Sequence, residues 1–191
     1  MNLPPGAMLS LTKCSPGLTA VTVEIGWTLS SPASYDVDAF AIALSSNGKM
    51  PTVSDFVYYS NRTSPGDAIT LTTNELGESG EIHIFALDLT AVSTEIATIV
   101  FPAAIYDAQC REQSFDHVRD VFIRILRQDD STELARCELP NSATAAAHTA
   151  VLLGDLHRRA GEWLFRPLGR AFPGGSEGIL RHYGLDVAGN A

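Results

Sequence analysis

Two aspartates one residue apart, Asp36 and Asp38, stand at the head of the run Ala39-Phe40-Ala41-Ile42-Ala43-Leu44, in which small and large residues alternate. Residues two apart in an extended chain share a face, so the pair projects together from the mouth of a strand. Like charges that close repel unless a cation, a hydrogen-bond donor or water separates them. The chemistry on offer is half of a hard-cation site; the alternative is a solvated strand start. A second acidic stretch runs from Glu78 to Glu81, and Asn61 offers an amide oxygen. Calcium takes about six to eight oxygens, many of them from carboxylates and carbonyls on irregular loops. Asp36, Asp38, Asn61, Glu78 and Glu81 are therefore the candidate metal ligands. The pattern is not an EF-hand, because no glycine-centred loop with a terminal Glu follows Asp36.

Other motifs carry less. Gly174-Gly175-Ser176-Glu177-Gly178 matches the spacing of a nucleophile elbow. That elbow needs a buried strand of a parallel sheet directly before its serine, and here Phe172-Pro173 precede. A capped C-terminal helix is the simpler reading, so no catalytic residue is assigned and no enzymatic activity is expected. Glu133 and Glu162 sit at strand ends, where carboxylates are mostly solvated or paired, and a glycosidase-like pair has little support. Arg111, Arg119, Arg124 and Arg136 are expected to pair with Asp107, Asp120, Asp129 and Asp130 rather than to bind an anionic ligand. The histidines show neither HExxH nor paired-cysteine spacing, so zinc has little support.

Composition excludes some partners. A formal net charge of −9 argues against nucleic acid, which needs clustered Lys and Arg. No uninterrupted apolar run is long enough to enter a bilayer as a spanning helix, and Met1 to Ser10 lacks a signal-peptide pattern. Cys14, Cys110 and Cys137 are odd in number and far apart, which fits reduced thiols in the cytoplasm. At 191 residues and 45% hydrophobic content, the chain is expected to form a single domain, residues 1–191, with its own core.

The elements that must position the acids follow from periodicity. Ala20 to Trp27 alternates strictly, and strands are expected again over Ala39–Leu44, Asp55–Tyr59, Ala68–Thr72, Ile82–Leu87 and Thr98 towards Ile105. Asn74 to Glu81 reads as an acidic loop. Ala108 to Asp120 breaks the rhythm, with Phe115, Val118 and Val121 expected as the buried side of one or two helical turns. Strands resume over Val121–Leu126, Glu133–Leu139, Thr149–His157 and Gly161–Leu168, and Gly175–Tyr183 has helical spacing before Gly184. About ten short strands with frequent turns predict an all-β, two-sheet sandwich with short helical segments and a C-terminal helix. The alternation of Phe40, Ile42 and Leu44 with Ala39, Ala41 and Ala43 suits one sheet packed on another.

Several segments together resemble the TerD family of bacterial tellurium-resistance and stress-response proteins. They are Asp36-Val37-Asp38-Ala39, Asp55 to Asn61, Ile105-Tyr106-Asp107-Ala108, Val121 to Ile125, Glu133 to Arg136, Gly154 to Arg158 and Gly161-Glu162-Trp163. The resemblance runs from Leu9 to Leu185. It implies a calcium-binding β-sandwich without known catalysis, acting in stress response with related proteins or in a membrane-proximal complex. The departures fall on the acidic elements. The family's Asp-Phe-Asp-Leu-Asp stands here as Ser34-Tyr35-Asp36-Val37-Asp38, and its Gly-Asp-Asp-Glu as Gly80-Glu81-Ile82-His83. Ile82 offers no oxygen and imidazole suits a hard cation poorly, so calcium binding is expected to be weak or lost.

Overall fold

The computed structural model describes residues 1–30, 35–75, 80–140 and 148–185. Along the chain run β1 (Leu9–Ser10), α1 (Leu11–Cys14), β2 (Ala20–Leu29), β3 (Val37–Ala39), β4 (Ala41–Ser45) and β5 (Phe56–Val57). There follow β6 (Ile69–Glu75), β7 (Gly80–Asp88), β8 (Ile96–Ile105), β9 (Val118–Arg127) and β10 (Glu133–Glu138). The chain closes with β11 (Ala150–Arg159), β12 (Glu162–Ala171) and α2 (Gly175–Tyr183). The predicted all-β sandwich is what forms. One sheet has the order β10-β9-β2-β7-β6; the other has the order β1-β12-β11-β8-β4-β5, with β3 also paired to β8. Named neighbours in both pair antiparallel.

The core between the sheets is built from one face of each alternating strand. Val21, Val23, Ile25 and Trp27 of β2, Phe85 and Leu87 of β7, and Val121, Ile123 and Ile125 of β9 meet Ile99, Phe101 and Ile105 of β8 and Val151, Leu153 and Phe165. On β3 and β4 it is the small row (Ala39, Ala41 and Ala43) that faces this core, making room for the aromatics. The large row has a different partner. Phe40, Ile42 and Leu44 cluster with Val100, Leu152, Phe172, Ile179 and Tyr183, so α2 covers the outer face of the larger sheet. The helix is held by its end: Met50 N–H donates to the Tyr183 carbonyl at 2.9 Å, and the Lys49 ammonium donates to the His182 carbonyl. Ile179 is fully buried at the centre of that contact. Ile179→Ala is expected to cost about 2–4 kcal/mol, read as a lower urea midpoint, because the cavity opens under a short helix that cannot collapse far.

The split between β3 and β4 has a single cause. Val37↔Ile105, Asp38↔Ala104 and Ala39↔Ala103 on β3 continue in the same register as Ile42↔Val100 and Ala43↔Ile99 on β4. Pro102 falls opposite Phe40, accepts from its N–H at 2.9 Å, and has no N–H to return. One continuous strand is thereby read as two, and the aspartates lie on the short piece.

Some expectations are corrected. Asp55 belongs to a 3-10 turn, Val53–Asp55, rather than to a strand. Its carboxylate accepts from the Thr52 N–H at 3.0 Å and hydroxyl at 2.7 Å, which closes the turn and delays the strand to Phe56. The helical turn expected between Ala108 and Asp120 is only Phe115–His117, and Val118 already pairs with Leu29 as strand. Strands β6 and β7 run into both ends of the segment read as loop from Asn74 to Glu81. The arginine partners also differ: Arg124 pairs with Glu24 and Glu133, and Arg136 with Glu138, while Asp129 and Asp130 are taken by Arg127. Strand register chooses the partners of Arg124, whereas Arg127 and Arg136 pair with acids two or three residues on. All three cysteines are free thiols. Among the described residues no helix is long and apolar enough to cross a membrane.

Candidate cation site

Asp36 lies just before β3, where its carbonyl accepts from the Tyr106 N–H at 2.8 Å. That bond continues the β3–β8 ladder by one step and fixes where Asp36 and Asp38 leave the sheet. From the other sheet, β7 contributes Glu81 and His83, opposite Trp27 and Ile25 of β2. His83 shares the inward parity of Phe85 and Leu87, and it is 1% exposed. Its ring packs against Trp27 with centroids 5.0 Å apart.

These groups meet electrostatically at Asp38. Burial raises its carboxyl from the ordinary 3.8 to about 6, and the Asp36 charge adds to the rise. The neighbouring His83 opposes that rise, whereas Glu81 reinforces it. Asp36, Asp38, Glu81 and His83 are therefore one coupled set drawn from both sheets. Glu75 faces Glu81 directly across the β6–β7 ladder, and like charges so placed destabilise a sheet unless something neutralises them. Among the described residues no Lys or Arg forms an ion pair with any of these four carboxylates.

The predicted ligands thus fare differently. Asp36 and Glu81 both act on the charge of Asp38, from just ahead of the same strand and from the opposite sheet. Asn61 is placed in the turn after β5, with its amide nitrogen donating to the Phe56 carbonyl at 2.6 Å and more weakly to the Ser54 carbonyl at 3.5 Å. Its backbone closes the same turn through reciprocal bonds with Tyr58. Glu78 and Ser34 lie outside the described residues. The sequence reading missed Glu75, which it assigned to a loop, and the buried position of His83. Both were accessible from strand parity once β6 and β7 are extended by a few residues.

As donors, the carboxylates suit a hard dication. As a shell they are incomplete: among the described residues no three His, Cys, Asp or Glu side chains converge closely enough to hold an ion as they stand. Glu81 is about half exposed, at 45%, and Asp36 is exposed, so both have room to turn. His83 is fixed. Its Nε2 lies 3.4 Å from Glu81 Oε1, yet neither ring nitrogen has a hydrogen-bond partner.

Gly174-Gly175-Ser176-Glu177-Gly178 opens α2. Gly174 is the left-handed N-cap with φ 81°, and the preceding β12 is antiparallel to β11, so the elbow geometry is missing.

A TerD domain model matches residues 1–183. The chain is 38% identical over 192 aligned positions to the tellurium resistance protein TerD of Serratia marcescens, covering 98% of this chain and 99% of that one. It is 31% identical to general stress protein 16U of Bacillus subtilis (strain 168), covering 98% of each. A crystal structure of a telluride resistance protein homologue from Streptomyces coelicolor A3(2) superposes with a TM-score of 0.63, covering 87% of this chain and 96% of that one. At 20% identity that likeness speaks for the fold alone.

Proposed function

The chain belongs to the TerD domain family, and on that premise we propose that it is a non-enzymatic stress-response protein whose acidic cluster takes up calcium weakly. Relatives named for tellurium resistance and for general stress support the role. The observation that carries the cation is the partly buried Asp38 at the head of β3, raised by burial and by the Asp36 and Glu81 charges, with no Lys or Arg ion pair among the described residues and only His83 opposing the rise. Asp36, Asp38 and Glu81 would hold the ion, and its charge would relieve their mutual repulsion. Because β3 and β7 belong to different sheets, the same ion would tie the two sheets together at this end. The partners belong to the proposal as well: related family proteins or a membrane-proximal stress assembly, reached from the cytoplasm.

Adding about 10 mM calcium to metal-stripped protein is expected to raise the melting temperature by about 3–10 °C, since a ligand bound only by the native state must stabilise it. Glu81→Gln is expected to remove most of that rise. Expression in a tellurite-sensitive host is expected to raise tolerance, and less so for Glu81→Gln. Among the described residues no shell converges, which favours a second reading, a metal-free interaction module. An unchanged melting temperature in calcium would select it.

A further inference from the structure

We draw no further inference here: the strongest candidate, the cavity beside Ile82 and Phe122 on the five-stranded sheet, has its arginines, Arg124 and Arg136, already paired with Glu24, Glu133 and Glu138, and nothing in the structure shows what covers it.

Discussion

Asp38→Asn is expected to stabilise the metal-free protein at pH 7.5 and to flatten part of its pH dependence. The carboxyl is raised from 3.8 to about 6 chiefly by burial and then by Asp36. Below about pH 4 it is neutral in the folded and unfolded chain and contributes nothing. Between pH 4 and 6 the unfolded chain releases the proton that the folded chain keeps, so stability falls as pH rises through this window. Above pH 6 the side chain is charged in both states and the whole penalty is present. A shift of this size corresponds to at most about 3 kcal/mol, and the partly exposed position reduces that to about 1–2 kcal/mol. The difference between wild-type and variant urea midpoints across pH 4–8 isolates the effect. That subtraction is needed because Glu162, held low by its bonds from Lys13 and Ser10, gives stability that is lost in acid, the opposite sign. A divalent ion should abolish the gain, since it removes the same penalty from the wild type. An Asp38→Asn protein less stable than wild type in chelator at pH 7.5 would refute this account of Asp38.

The larger effect belongs to a different carboxylate. Asp155 is 3% exposed on β11, with Arg166 as its cross-strand neighbour on β12. Arg166 donates through Nη2 to Oδ2 at 2.7 Å and through Nε to Oδ1 at 3.3 Å. His157 Nε2 lies 2.6 Å from Oδ1, and its Nδ1 is 3.3 Å from the Thr98 hydroxyl on β8. The Arg166 bonds thus join β11 to β12 through one acid, with His157 in contact with the same acid but without a hydrogen bond at Nε2. Removing one member of a buried charged set leaves the others uncompensated, so Asp155→Ala should cost about 3 kcal/mol, or roughly 6–12 °C in melting temperature. The partial exposure of Arg166, 35%, keeps the figure at the low end of that class because its guanidinium can reach water. Replacing both partners by apolar residues, Asp155→Leu with Arg166→Met, should recover most of the loss, as a calorimetric scan of the double variant would show.

How much of this was legible beforehand depends on which interaction decides each feature. Strand alternation is local, and β2, β7 and β12 were readable because burial on one face imposes a period of two, while β8 and β11, buried on both faces, read as continuous apolar runs. The two-residue β1 and the four-residue α1 are too short to carry a period, and they form because β12 offers Leu9 and Ser10 a ladder at Phe165 and Leu164. The large and small rows of β4 were readable too, but not which row faces the other sheet, because that is decided when α2 docks from the far end of the chain. Ion pairs were least legible. Arg124 finds Glu24 a hundred positions away, through the β2–β9 register.

The candidate site divides along the same line. Asp36 and Asp38 are neighbours on one strand, so their pairing is local, and Glu81 joins them only once the sheets face each other. Asn61 offers a suitable oxygen by type, and its turn uses the amide nitrogen rather than that oxygen, through the bond to the Phe56 carbonyl. His83 was noted in the sequence as a poor calcium ligand. What the sequence did not show is that it lies buried against Trp27, on the inward face of β7.

The most direct test of the cation site is a calorimetric titration of metal-stripped protein with calcium at neutral pH. The account predicts a single weak site, with Kd in roughly the 10⁻⁴–10⁻³ M range, that disappears in Glu81→Gln. Two sites of submicromolar affinity, or binding untouched by Glu81→Gln, would contradict it.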